Sequence, residues 1–352
     1  MKCEWKTDEL GKFITLKRGY DLPQQKRENG TIPVFSSSGI SGCHSAAMID
    51  APGVITGRYG TIGNVFYSEK PFWPLNTTLY VEDFHGNDAK FIYYFLQTIS
   101  WDKFTSASAV PGINRNTVHK EIVTLPDIKI QRKIAAFLSL LDDKIELNQR
   151  INNNLQQQAQ AIYMSYFTDN NGCLADICQH TKEKTFVSQL TLDNYYSTEN
   201  MLSEKGGAVQ AANLPATAQT TRCGPGDVLV SNIRPYFKKI VYCSSEGGCS
   251  TDVLCFTPNR KNLSAYLFYT LYADKFFNHM VAGSKGTKMP RGDKQQIMTY
   301  PIYIPSNVEL ENYNSITQPI LTKVEKNREE NLRLTALRDT LLPKLMSGEI
   351  DL

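Results

Sequence analysis

LDDKIELNQRINNNLQQQAQAIYMSYF, residues 141–167, and ILTKVEKNREENLRLTALRDTLLPKLM, residues 320–346, are two versions of one segment. At one constant offset, Lys144 meets Lys323, Ile145 meets Val324 and Glu146 meets Glu325. Asn148 then meets Asn327, Asn152 meets Asn331, Leu155 meets Leu334 and Ile162 meets Leu341. The same offset carries Leu125-Pro126 onto Ile304-Pro305 and Pro111 onto Pro290. A register held over so long a stretch marks an internal duplication. Both copies read as helix, without internal Gly and with Pro only at 343. In the first, positions 145, 148, 152, 155, 159, 162 and 166 alternate three and four apart, the heptad spacing of a coiled-coil seam. One reading is an amphipathic helix packed on its own domain. The duplication favours the other, in which the two helices pack on each other. That pairing would use Ile145, Asn148, Asn152, Leu155 and Ile162 against Val324, Asn327, Asn331, Leu334 and Leu341. The seam asparagines would lose stability on burial and fix register.

The segments before each helix correspond more loosely. Pro52-Gly-Val-Ile-Thr-Gly-Arg-Tyr59 resembles the stretch from Pro225 to Arg234, Asn76 to Val81 resembles Ser250 to Phe256, and Phe91 to Leu96 resembles Tyr266 to Leu271. Short β-type runs at 54–56, 64–67, 78–81, 227–230 and 240–243 are punctuated by Gly, Pro, Asn and Ser. One helix per half is expected near 89–97 and 264–272. The architecture is therefore α+β part, long helix, α+β part, long helix. Residues 30–45 and 181–215 have no counterpart in the other half. A duplicated scaffold with different loops suggests two modules that recognise different things.

Composition narrows the partners. The chain has 352 residues, 38 Lys+Arg and 35 Asp+Glu, a net charge of +3 and 41% hydrophobic residues. That length suggests two or three domains with real cores. No apolar run reaches the roughly 18–20 residues of a membrane span. The N-terminal stretch MKCEWKTDELGKF lacks the apolar region of an export signal, so a cytoplasmic protein is expected. The eight cysteines form no CxxC and read as reduced structural thiols. The best metal candidate, Cys173 with Cys178 and His180, fits no common zinc spacing. The charge balance argues against indiscriminate DNA coating and leaves room for cations concentrated in loops.

Most chemistry is missing its motif. There is no GxGxxG after a strand and no GxxxxGK[ST], and residues 283–288 have the wrong spacing for a phosphate loop. The GxxG strings at 60–63 and 283–286 lack the flanking helices of a KH clamp. The Asn/Asp-Pro-Pro-aromatic run of an adenine methyltransferase is absent, and the five histidines are scattered. One nuclease string matches on paper: Asp127, then Asp142 and Lys144, in a PD…(D/E)xK order. On a helix, however, Asp142 and Lys144 would point about 200° apart.

Basic and polar residues do gather in loops. Residues 283–294, GSKGTKMPRGDK, carry Lys285, Lys288, Arg291 and Lys294 against one acid, and the matching stretch SASAVPGINRN carries Asn114, Arg115 and Asn116. Lys17 and Arg18 form a second cluster. Arg58 and Tyr59 form a third, matched by Asn232, Arg234 and Tyr236 in the stretch Ser231-Asn-Ile-Arg-Pro-Tyr236. Open Gly-rich backbone lets amides approach phosphates beside the cations, while Arg and Asn can read guanine and adenine bidentately. A solvated charged face is the alternative for any one cluster; two modules carrying them at corresponding positions favour a nucleic acid.

These residues carry a family resemblance over essentially the whole length. The run from Gln131 to Gln149, QRKIAAFLSLLDDKIELNQ, is similar to the central conserved region of DNA specificity subunits of type I restriction–modification systems. Leu341-Leu-Pro-Lys-Leu-Met-Ser-Gly-Glu-Ile350 resembles their C-terminal conserved region. Residues 57–64 and 286–294 resemble stretches of their target recognition domains. Ile130 stands where the family usually has Glu, and the second copy lacks the Glu-Gln pair. The resemblance implies an α+β chain of two pseudo-symmetric α/β target recognition domains, joined by two long helices that form an antiparallel coiled coil. The boundaries would be 1–125 and 170–305 for the recognition domains, with helical regions at 126–169 and 306–352. It implies a non-catalytic subunit whose domains each read half of a split double-stranded DNA site. Two methyltransferase subunits would bring S-adenosylmethionine, and restriction subunits would use ATP and Mg²⁺; this chain itself would hold no cofactor or metal. Helices of roughly 25–40 residues span about 40–60 Å, enough to separate two readers by one DNA turn. Base edges would be met by Arg58, Tyr59, Asn114, Arg115, Asn232 and Arg234. Phosphates would be met by Lys17, Arg18, Lys285, Lys288, Arg291 and Lys294. The rival readings are a stand-alone Mg²⁺-dependent nuclease and an assembly scaffold without sequence readout.

Overall fold

The computed structural model describes residues 5–105 and 112–352. Cys3 and residues 106–111, which include Pro111 and the first half of the SASAVPGINRN stretch, lie outside the described residues. The chain divides into two units, residues 1–144 with 334–352, and residues 145–333.

Unit 1 is built on an antiparallel four-stranded sheet in the order Thr15–Arg18, Thr78–Asp83, Gly53–Gly57, Val65–Ser68. The two central strands read as near-continuous apolar runs because both their faces are covered. Successive side chains point to opposite faces. Val54, Leu79 and Val81 therefore join the core under helix α1 (Ala89–Gln97), while Ile55 and Tyr80 pack with Phe35 and Phe72 on the other side. The second side is formed by a smaller sheet, Gly39–His44, Ile32–Ser36 and Trp73–Pro74. Its hairpin is built from the residues 30–45 that have no counterpart in the second half. Asp88 caps α1 by accepting the Phe91 N–H at 2.9 Å. A short helix α2 (Arg115–His119) then leads to the strand Ile122–Pro126, which pairs with Trp5–Glu9.

Helix α3 (Ile128–Tyr166) starts at Asp127, whose carboxylate accepts the Lys129 and Ile130 amides. Its opening turns belong to unit 1. There Gln131 is buried: its amide nitrogen donates to Asn87 and to the Pro126 carbonyl, and its oxygen accepts the Asp88 N–H. Ile134, Ala135 and Leu138 enter the unit 1 core together with Leu342, Leu345 and Met346 from the end of the last helix.

Unit 2 repeats the plan. Its main sheet runs Cys178–His180, Val253–Pro258, Val228–Ser231, Ile240–Tyr242. Val228, Val230, Leu254 and Phe256 face helix α4 (Ser264–Tyr272), whereas Leu229, Val253 and Cys255 pack with Cys223 and Cys249 of a second four-stranded sheet, Lys184–Phe186, Gln219–Cys223, Gly247–Cys249 and Tyr195–Tyr196. Helix α5 (Asp274–Ala282) follows, set off from α4 by the extended Ala273, and buries Phe276, Phe277 and Met280. The sequence pattern had not separated α5 from its surroundings. Helix α6 (Lys294–Met298) corresponds to α2, and helix α7 (Asn307–Met346) to α3. Helix α7 opens on a capping box, with Ser306 and Glu309 each accepting the other's backbone N–H.

Within unit 2 the two long helices pair antiparallel through side-chain amides. Asn148 donates to Asn331 at 2.9 Å, Asn327 donates to Asn152 at 2.7 Å, and Asn152 donates to the Val324 carbonyl. Asn331 in turn donates to the Ile145 carbonyl. Val324 is buried beside them, Leu155 is half-buried, and Ile162 packs against the unit 2 core. Leu334 and Leu341 fall in unit 1, where Leu341 lies against its core. The heptad reading departs from the structure in two places. Tyr166 is exposed, and Gln156, off the seam, is buried. No helix among the described residues is long and apolar enough to cross a membrane.

Candidate nucleic-acid interface

In unit 1 the candidate residues are assembled by the loop that leaves the Gly53–Gly57 strand. The turn is tight: a Cβ on Gly57 would sit 1.9 Å from the Thr61 carbonyl oxygen. Arg58 donates its N–H to the Thr77 carbonyl at 2.8 Å and accepts the Ile113 N–H at 3.0 Å. Tyr59 bridges to Gly112, and a Cβ on Gly112 would lie 2.1 Å from the tyrosine ring, so the ring rests directly on glycine backbone. The Arg58 guanidinium sits 4.4 Å from the Tyr59 ring centre, a stacking that fixes the fork in direction.

These contacts bring Arg58 and Tyr59 to one cleft of about 610 Å³ with Lys17, Arg18, Asn114 and Arg115. Among the described residues no carboxylate lines it. Lys17 is ion-paired to Glu82 at 2.5 Å, which raises its pKa, while the nearby Arg115 charge opposes that rise. The side-chain amide oxygen of Asn114 accepts the Asn116 N–H and so caps α2. That oxygen is committed to the backbone, which leaves the amide nitrogen for a ligand. His119 closes the same short helix. Its Nε2 accepts the Leu16 N–H at 2.9 Å, and burial, then Arg115 and His85, lower its pKa.

Unit 2 uses the same backbone frame. Asn232 donates its N–H to the Asp252 carbonyl at 2.8 Å and accepts the Gly292 N–H at 3.3 Å. Ile233 bridges to Arg291. Asn232 thus occupies the place of Arg58, Ile233 that of Tyr59, and Arg291 that of Gly112. Asp293 caps α6 as Asn114 caps α2. The side chains differ. Asn232 is only 7% exposed, with its amide oxygen buried against Gly292. The base-edge role expected of Asn232 would therefore need its side chain to turn outward. Arg234 is half-buried, adopts a left-handed backbone (φ 49°) and donates its N–H to the Pro290 carbonyl.

The cationic stretch 283–294 forms a narrow hairpin, with Lys285 and Arg291 exchanging backbone hydrogen bonds at 2.9 and 3.0 Å. Lys288 stands exposed at its tip and Lys294 is exposed at the start of α6. Lys285 is paired with Asp293 at 2.8 Å, and Arg291 with Asp252 at 2.9 Å. These exposed pairs hold the side chains loosely and can exchange for phosphate. Two exposed aromatic residues, Tyr236 and Phe237, lie beside Arg234. Tyr236 closes the stretch matched to Arg58 and Tyr59, whereas Phe237 was not among the sequence candidates. The signal for Phe237 was the string Pro-Tyr-Phe-Lys-Lys, aromatic residues next to cations in a turn.

The nuclease arrangement does not form. Asp127 is the cap of α3, and Asp142 lies some four turns on, about 22 Å along the helix. Asp142 accepts hydrogen bonds from Tyr94 at 2.6 Å and Arg338 at 2.8 Å. The Cys178 thiol donates to the Leu174 carbonyl, and burial raises its pKa. Among the described residues no three His, Cys, Asp or Glu side chains are placed to hold a metal ion.

Residues 2–157 match the family model described as the type I restriction modification DNA specificity domain. The type I restriction enzyme MjaIX specificity subunit of Methanocaldococcus jannaschii is 21% identical over 309 residues, covering 75% of this chain and 70% of that protein. The type I restriction enzyme HindI specificity subunit of Haemophilus influenzae is 44% identical over 59 residues, 17% of this chain and 13% of that protein. Among solved structures, the S subunit of a type I restriction–modification system from M. genitalium aligns with a TM-score of 0.63 at 17% identity, over 98% of this chain and 96% of that one. This last likeness is one of fold.

Proposed function

We propose that the chain, whose residues 2–157 match the type I restriction modification DNA specificity domain, is a specificity subunit that reads a split DNA target, one half with each unit. The observation that carries this reading is the shared frame with different contents. The backbone of Arg58 and of Asn232 is pinned by equivalent hydrogen bonds, yet the side chains presented around the two differ. A common scaffold that holds different side chains at one place is what two readers of different sequences need.

In unit 1 the Arg58 fork, oriented by Tyr59, and Arg115 meet base edges, with the Tyr59 ring and the Asn114 amide nitrogen beside them. Lys17 and Arg18 meet phosphates. In unit 2 Arg234 meets a base edge, and Lys285, Lys288, Arg291 and Lys294 hold the backbone. Phosphate contacts set register and affinity, and the few base contacts set sequence. The chain performs no covalent step in this scheme. Methyl transfer from S-adenosylmethionine belongs to two partner methyltransferase subunits, and ATP- and Mg²⁺-dependent cleavage to restriction subunits. The paired helices offer the partners two similar surfaces, and the complex acts in the cytoplasm. The recognition boundaries at 1–125 and 170–305 belong to the same proposal.

The test is single-molecule methylation mapping of host DNA with and without the gene for this chain. The reading expects a methylated motif of two short blocks separated by a fixed unspecified gap, lost when the chain is absent. A contiguous motif, or none that depends on the chain, contradicts it.

A further inference from the structure

Residues 234–238, Arg-Pro-Tyr-Phe-Lys, turn the chain between the strands Val228–Ser231 and Ile240–Tyr242. Five non-glycine residues among the described ones have a left-handed backbone, and four meet at this corner: Arg234 (φ 49°), Lys238 (φ 51°), Glu204 (φ 52°) and Lys205 (φ 62°). In that region Cβ crowds the backbone carbonyl, so such residues persist only where their surroundings over-determine them. Here they do. The Phe237 carbonyl accepts the Glu204 N–H at 2.9 Å, and the Lys238 carbonyl accepts the Lys205 N–H at 3.0 Å. Asp274, at the start of α5, takes both lysine ammoniums, at 2.8 and 3.1 Å. The Arg234 N–H is held by the Pro290 carbonyl, which ties the corner to the cationic hairpin 285–291.

All this fixes the backbone under two side chains that gain nothing from it themselves. Tyr236 is 47% exposed and Phe237 37% exposed, their ring centres 4.8 Å apart. Adjacent large aromatic side chains left in water on a rigid turn mark a contact surface. The neighbouring charges choose the partner. Arg234, Lys238, Lys288 and Arg291 surround the corner or continue from it; of the acids there, Asp274 is paired with Lys205 and Lys238 and Asp252 with Arg291, while Glu204 is exposed. An apolar wedge set among cations suits a nucleic acid, whose phosphates meet the cations while the rings meet bases. Unit 1 has no equivalent: its turn continues from Tyr59 as Gly60-Thr61-Ile62-Gly63.

We propose that Tyr236 and Phe237 form a DNA-contacting wedge confined to unit 2, packing on a base step next to the phosphates held by the 285–291 hairpin, so that one or two positions of that half-site are chosen by stacking and step deformability. This rests on the DNA-reading function proposed above.

The experiment is selection by the full-length chain from a randomised duplex pool long enough to span two helical turns. The wild type is compared with the double variant Tyr236→Ala/Phe237→Ala and with Arg58→Ala. The half-site of unit 2 is the block that Arg58→Ala leaves intact. The proposal expects the aromatic double variant to lose about tenfold of preference at one or two positions of that block. The other block should be retained, with an unchanged thermal unfolding midpoint. Retention of both blocks at wild-type strength overturns it and leaves the rings to a protein partner. Loss of both blocks with a lowered midpoint also overturns it, by making the pair structural. If the wild type itself enriches no block, the DNA-reading function fails and the wedge with it.

Discussion

Asn327 donates its side-chain amide to the carbonyl oxygen of Asn152 at 2.7 Å, between two helices that start in different halves of the sequence. Both residues are buried, and Asn152 uses its own amide nitrogen on the Val324 carbonyl. Polar atoms in such a seam are satisfied in one register only. Asn327→Ala leaves the Asn152 oxygen without its donor and should destabilise unit 2 by about 1–3 kcal/mol. Replacing both residues by Leu should restore much of that loss while weakening register. Urea unfolding of the two single variants and the double variant checks this through the coupling between the sites.

Gly112 carries the Tyr59 ring, and any Cβ there collides with it at 2.1 Å. Gly112→Ala should cost about 1–3 kcal/mol through overpacking. It should also free Arg58 from its stack and weaken DNA binding. Combining it with Tyr59→Ala removes the clash, so the double variant should be less destabilised than the sum of the singles. Chemical denaturation midpoints measure the first effect and duplex-binding titrations the second.

Lys288 sits exposed at the tip of a hairpin rather than in the core of the site. As a phosphate contact it should affect all sequences alike. Lys288→Ala should reduce the slope of log K against log salt by about one and leave the preferred sequence in place. Binding measured across a salt series decides this, and a changed motif at an unchanged slope would point to base contact instead.

His119 accepts the Leu16 N–H through Nε2, a role open only to the neutral ring. Burial first, and Arg115 and His85 next, lower its pKa below the ordinary 6.5. Burial moves His180 in unit 2 the same way. The unfolded chain therefore takes up protons that the folded chain refuses. The stability from these neutral rings is present above the unfolded value and is lost as pH falls through the lower folded value. The thermal midpoint should fall between about pH 7 and pH 5, and His119→Phe should flatten part of that dependence.

The sequence was most readable where the physics is local and periodic. Helices α1 and α4, and the duplication that places α2 with α6 and α3 with α7, follow from apolar spacing and a constant offset. Helix α5 was hidden because Ala273 breaks the chain without Gly or Pro. The cleft residues of unit 1 could be named from clusters, since Arg58 follows a strand end and Asn114 and Arg115 open the short helix α2, at places that the duplication aligns. Asn232 shows the limit. Its type and place matched a base reader, but its side chain turns into the interior beside Gly292, and only the three-dimensional frame reveals that. Phe237 is hidden for the opposite reason, since an aromatic residue in a sequence reads first as core, while Tyr236 closes the stretch matched to Arg58 and Tyr59.

The central claim is that each unit reads its own half of one site. It is tested most directly by mapping methylated motifs in cells that express Arg58→Ala or Arg234→Ala chains with their methyltransferase partners. The account predicts that Arg58→Ala relaxes one block of the motif and Arg234→Ala relaxes the other, with the gap between them unchanged. Both substitutions altering the same block, or neither altering any block, would contradict it.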